Sequence, residues 1–106
     1  MSDTANLKVL WGNVNADGTT HTGRGFEVRH LGKGLYEVDF ADGTFTQVPG
    51  FTAIQVRSWD NSAYSSGNTK DNCVLMFLST SVAKVKTGDQ NGDGSNRNFS
   101  FIATGI

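Results

Sequence analysis

A period of two in the hydrophobic pattern constrains this chain more than any other feature. Phe26, Val28 and His30 alternate with Glu27 and Arg29, and Tyr36, Val38 and Phe40 alternate with Glu37 and Asp39. Successive side chains of a strand point to opposite faces, so this alternation gives each segment one apolar and one charged face. Leu31-Gly32-Lys33-Gly34 lies between them, and glycine accepts the backbone angles of a tight turn. The two segments therefore predict an antiparallel hairpin.

The same signals recur along the chain. Leu7, Val9 and Trp11 alternate with Lys8 and Gly12, predicting a first strand over about 6–14, closed by the turn Ala16-Asp17-Gly18-Thr19. Ala41-Asp42-Gly43-Thr44 ends the third strand, and Pro49 ends the next segment because it cannot donate to a ladder. A strand from 52 to about 59 carries Ile54 and Val56 on one face and leads into a polar loop over 60–70. Cys73-Val74-Leu75-Met76-Phe77-Leu78 is apolar at every position. That run predicts a strand buried on both faces, with a short buried helix as the alternative of equal pattern. Strands over 82–87 and 98–104 complete the set, joined by the Gly-rich loop 88–95. The expected fold class is all-β: one antiparallel β-sandwich of about six to seven strands over 1–106, with 1–5 a flexible lead.

Composition excludes several alternatives. Ser, Thr, Asn and Gly supply 42 of the 106 residues, while good helix formers are scarce. No amphipathic stretch is long enough for a crossover helix, which removes the α/β class. Nine basic residues are scattered singly in a chain of net charge −1, so neither a nucleic-acid footprint nor a polybasic membrane anchor is expected. No apolar run is long enough to span a bilayer as a helix. Met1-Ser2-Asp3-Thr4-Ala5-Asn6 has no signal-peptide pattern, so synthesis in the cytoplasm is expected. Cys73 is the sole cysteine and cannot close an intrachain disulfide.

Two stretches carry a resemblance. Gly34-x-Tyr36-x-Val38-x-Phe40 followed by Phe45-x-x-Val48-Pro49 resembles a module of phage tail-fibre tips and bacterial fibre-tip proteins. Val85-x-Thr87-x-Asp89 followed by Phe99-Ser100-Phe101-Ile102-Ala103-x-Gly105 is similar to the end of that module and to the H-type lectins. These lectins are small β-sandwiches that assemble as trimers and bind sugars, and they usually carry Trp near the position of Phe101. The resemblance covers most of 6–106. It implies a small trimeric sandwich that recognises glycans or a glycosylated surface, at a cell surface, on a virion or fibre, or after release. It assigns no binding residue.

The residues themselves suggest where such a site would lie. A sugar ring needs an aromatic platform for its C–H face and polar side chains for its hydroxyls. Arg57, Trp59, Asp60, Asn61 and Tyr64 supply that set within eight residues, against the alternative that Trp59 only packs on the rim of the core. The turn-rich stretch 16–25, with Asp17, Thr19 and His21, is the alternative location. Trp11 is expected in the core or at a subunit interface.

Catalysis has less support. His30 shares a strand face with Phe26 and Val28, which predicts a half-buried structural ring, and His21 is expected in solvent. Glu27 and Glu37 fall on neighbouring strands and could pair as acid and base, although a solvent-facing strand explains them too. No zinc constellation exists. Asp89, Asn91 and Asp93 match the front half of a calcium loop, but the twelfth position of an EF-hand would be Ser100. A hairpin connection is the expected reading of 88–95, and a looser calcium loop the alternative.

The leading expectation is a non-enzymatic carbohydrate-binding or adhesion module acting as a homotrimer. A purely structural trimerisation tip is the alternative, and a small hydrolase comes third. The trimer follows from apolar supply. Ile102 and Thr104 should oppose Phe99, Phe101 and Ala103, and Val74, Met76 and Leu78 should oppose Cys73, Leu75 and Phe77. A small sandwich has one core, so neighbouring subunits, or the 60–70 loop within a monomer, would cover the second face.

Overall fold

The computed structural model describes residues 6–62 and 67–106. Among them are eight strands: β1 (Lys8–Val14), β2 (Thr20–Gly23), β3 (Phe26–Gly32), β4 (Leu35–Phe40), β5 (Gly50–Val56), β6 (Asn72–Leu78), β7 (Val82–Gly88) and β8 (Asn98–Gly105). They form two four-stranded antiparallel sheets. Sheet A runs β2-β1-β8-β5 and sheet B runs β3-β4-β7-β6. The all-β sandwich expected from the alternation is therefore the fold. No helix among the described residues is long and apolar enough to cross a membrane. The lead expected over 1–5 lies outside the described residues.

The core is the set of inward positions that the period of two assigns. Leu10 and Val14 from β1 and Phe99, Phe101 and Ala103 from β8 face Tyr36, Val38 and Phe40 from β4 and Ala83 and Val85 from β7. Phe101 stacks on Phe51 at 5.1 Å and meets Phe26 edge-on at 5.0 Å, so the aromatic rings tie both sheets together. Full burial of one such side chain stabilises by about 1.5–3 kcal/mol. Gly12 is required by this layer: a Cβ there would run into the ring of Phe26 and lie 2.8 Å from Phe101. Gly34 is required by backbone geometry, with φ of 70° in the two-residue turn between β3 and β4.

Three expectations need correction. The sandwich has eight strands, because the stretch read as turns after Gly18 contains β2. Thr20-His21-Thr22-Gly23 has no apolar face, and it is a strand because β1 pairs with it at the sheet edge. β6 is not buried on both faces. It is the edge of sheet B, and Val74, Leu75, Met76 and Phe77 stay exposed. A one-residue slip between Leu75 and Phe77 also breaks its alternation. Leu75 pairs with Val85 but Phe77 with Lys84, so Phe77 faces outward and Leu78 turns in beside the core. Of the two places expected for Trp11, the core is excluded: it lies on the open face of sheet A.

Glu27 and Glu37 do not oppose each other either. The register sets Glu27 against Asp39 and Glu37 against Arg29. Glu37 is buried and bonded to the Arg29 guanidinium, with Lys84 Nζ 4.0 Å away. The hydrogen bond from Arg29 holds the Glu37 carboxyl below its ordinary pKa, whereas burial holds that of Asp39 above.

The close approach at Gly12 yields a stability prediction. Gly12→Ala should destabilise the fold by about 1–3 kcal/mol through overpacking against Phe26 and Phe101. Urea unfolding followed by circular dichroism measures it, and an unchanged midpoint contradicts the required glycine.

Candidate functional site

Antiparallel pairing brings four connections to one end of the sandwich: 15–19 after β1, Lys33-Gly34 after β3, 57–71 after β5 and 89–97 after β7. Side-chain and backbone hydrogen bonds join them. The Ala16 amide donates to Asn98 Oδ1 at 2.8 Å, and the Gly34 amide donates to Asn96 Oδ1 at 2.7 Å. Tyr36 is fully buried, and its hydroxyl donates to the Ala16 carbonyl at 2.6 Å. Burial raises the Tyr36 phenol above its ordinary pKa, so it remains a donor.

Trp59 sits within this end and is held from two directions. Its Nε1–H donates to Asn15 Oδ1 at 2.8 Å, and its ring lies parallel to that of His21, with centroids 4.6 Å apart and planes 4° from coplanar. Asn15 Nδ2 donates in turn to Thr19 Oγ1 at 3.0 Å, and the Thr19 hydroxyl donates to Asp17 Oδ1 at 2.6 Å. A continuous chain of bonds therefore runs from the Asp17 carboxylate to the indole. The two locations read from the sequence, around Trp59 and around Asp17, Thr19 and His21, are one place. Sequence reasoning missed Asn15, the residue that joins them. The signal was the Asn-x-Asp-Gly pattern of the turn.

Asp60 also serves its own loop. Its Oδ1 accepts from the Ser62 amide at 2.9 Å and from the Ser62 and Ser58 hydroxyls. The Ser62 hydroxyl is the main cause that lowers its pKa, as the Thr19 hydroxyl lowers that of Asp17, so both carboxylates are charged at neutral pH. Asn61 is exposed on the same loop. Arg57 lines a separate groove of about 270 Å³ with Gln55, Asn68, Thr69 and Asp71. Tyr64 lies outside the described residues.

The floor of that groove is polar and was not anticipated. Arg97 Nη1 reaches Asp71 Oδ2 and Gln55 Oε1, both at 3.0 Å. Gln55 Nε2 donates to the carbonyls of Asn72 and Gly88, each at 2.9 Å. Sheet A is thereby laced to β6 and β7 of sheet B beneath the long loop. Residues this far apart in sequence show no motif.

The remaining candidates have local duties. His30 stacks on Tyr36 at 4.7 Å and its Nε2 lies 3.0 Å from Asn96 Oδ1, in line with a structural ring, although its side chain is exposed. Asp89 Oδ1 accepts the amides of Asn91 and Asp93 at 2.9 and 3.0 Å, closing the turn with Asp89 N–H on the Asp93 carbonyl. Asn91 and Asp93 thus contribute backbone donors to this carboxylate. Among the described residues there is no group of three or more His, Cys, Asp or Glu side chains placed to hold a metal ion.

Comparison of the chain with family models, with curated proteins and with solved structures found no significant match.

Cys73 provides a chemical check on the packing. Burial pushes its thiol up to about 11, so it stays protonated at neutral pH. Iodoacetamide at pH 8 should modify it slowly in the native protein and at least tenfold faster in guanidinium. Equal rates would show that Cys73 is not packed against the core.

Proposed function

We propose that this chain is a non-enzymatic carbohydrate-binding module, lectin-like in its chemistry, that recognises glycans or a glycosylated surface at the loop end and acts as a homotrimer. The observation that carries the reading is the immobilised indole of Trp59, with its N–H on Asn15 and its ring on His21. An aromatic ring fixed before binding offers the C–H face of a sugar a platform without further loss of side-chain freedom. Asp17 and Asp60 are charged acceptors on the adjoining loops, each held by its own Ser or Thr hydroxyl. Charged acceptors make the stronger hydrogen bonds to hydroxyl groups. The indole N–H is already used and one face carries His21, so the ring acts through its other face.

One such site is weak, because sugar hydroxyls exchange water for protein at a net of about 0.5–1.5 kcal/mol per bond. Three sites on one rigid particle raise apparent affinity by ~10²–10⁴ where spacing fits. Such a protein works at a cell surface, on a virion or fibre, or after release. A structural trimerisation tip without a ligand is the second reading. The large exposed apolar side chains Val9, Trp11, Ile54 and Ile102 favour assembly whether or not a sugar binds.

A glycan array with labelled protein separates the two readings. Saturable binding should appear for the native chain. Trp59→Ala and Asp60→Ala should each lower it at least tenfold without changing the oligomeric mass, and Trp59→Phe should retain part of it. A native chain that binds no glycan defeats the proposal. Variants that bind like the native chain place the site elsewhere.

A further inference from the structure

The two outer faces of the sandwich are built differently. On sheet B the outward positions carry Glu27, Arg29, Glu37, Asp39, Lys84 and Lys86 in cross-strand register. Even the exposed Phe77 there lies beneath Lys84, whose Nζ is 5.9 Å from the ring centroid. Leu35, Val74, Met76 and Phe77 are exposed on this sheet as well, but Lys84 and Lys86 stand opposite Phe77, Leu35 and Val74, so its apolar groups are interleaved with charges. The outward rows of β1, β8 and β5 in sheet A run Val9–Thr104–Gly50, Trp11–Ile102–Thr52 and Asn13–Ser100–Ile54. None of these side chains ionises. Trp11 and Ile102 stand side by side at the middle, exposed at 51% and 46%, with Val9 at 58% and Ile54 at 67% around them. Arg24 stands only at the rim, beyond β2, in the groove with Val9 and Trp11.

From this asymmetry we infer that the outer face of sheet A is the interface through which copies of this chain associate. The face has the make-up of a protein interface: an apolar centre built on a tryptophan, ringed by hydroxyl and amide groups that can pair at the rim. Its charge pattern selects the occupant. A nucleic acid, an anionic lipid surface or a charged peptide is held by counter-charges, and these three rows have none to give. A neutral face with the same apolar centre is the complement, and a second copy presents one. Stacked antiparallel sheets pack about 10 Å apart in the same way as sheets A and B within the chain. The inference names the contact surface for the assembly proposed above and does not depend on sugar binding.

Light scattering at micromolar concentration tests it, with the full chain and with Trp11→Ala/Ile102→Lys. The native chain should run at a multiple of 11.4 kDa, threefold for a trimer, and the double variant at 11.4 kDa with native circular dichroism. Phe77→Lys on sheet B should keep the native mass. A native chain that is monomeric throughout overturns the inference, as does a folded double variant of unchanged mass or dissociation by Phe77→Lys. If the double variant fails to fold, Trp59→Phe leaves Trp11 as the sole tryptophan. Acrylamide should then quench its fluorescence weakly at high protein concentration and at least threefold more strongly on dilution. Quenching independent of concentration overturns the inference. Loss of glycan binding at unchanged mass would instead count against the sugar site alone.

Discussion

The aromatic layer between the two sheets is the contact on which the rest of the structure depends. Phe99 and Phe101 leave β8 toward sheet B, where Tyr36 and Phe26 meet them, while Phe51 of sheet A stacks on Phe101 and reaches Phe40 across the layer. β8 is hydrogen-bonded on both sides, to β1 and to β5. Its inward face is therefore anchored twice, by ladders and by packing. The layer also dictates where the backbone must lack a side chain, since Gly12 gives Phe26 and Phe101 their space.

Order in the core passes to the loop end through polar bonds. The Tyr36 hydroxyl is the link: its ring is wholly buried, and its oxygen reaches the Ala16 carbonyl in the turn after β1. That turn holds Asn15, and Asn15 holds Trp59. A second set of bonds, from Arg97 to Asp71 and Gln55, anchors the base of the same loop from below. Loops usually supply adaptable binding residues. Here the Trp59 ring is fixed by groups rooted in the rigid part of the sandwich.

The outer faces then divide the work. Sheet B meets water with compensating charges, notably Arg29 and Lys84 about the buried Glu37, and with exposed apolar side chains along its β6 edge. Sheet A offers an uncharged surface with Trp11 at its centre. A fold with one core needs only one apolar face per sheet, so the uncharged outer face of sheet A is surplus to the packing of the chain itself.

Local pattern by itself determined the strands and their inward faces. Tyr36, Val38 and Phe40 of β4 and Phe99, Phe101 and Ala103 of β8, the positions the alternation turns inward, are all buried, while Ile102 is exposed; Glu37, on the outward side, is buried too by its ion pairs, and His30 is exposed. Such patterns are legible because strand geometry forces side chains to alternate regardless of what lies across the sheet. The aromatic at the loop edge, Trp59, and the polar stretch 16–25 were legible as candidates for the same reason: their residue types stand out locally. Sheet order, the bulge at Met76, the pairing of β2 and the position of β6 at an edge were decided only by the tertiary structure. So were the joining of Trp59 to Asn15 and His21, and of Arg97 to Asp71. These contacts link residues 26 to 44 positions apart, or depend on which strand is a neighbour. Distances along the chain carry no trace of them until two sheets close on one core.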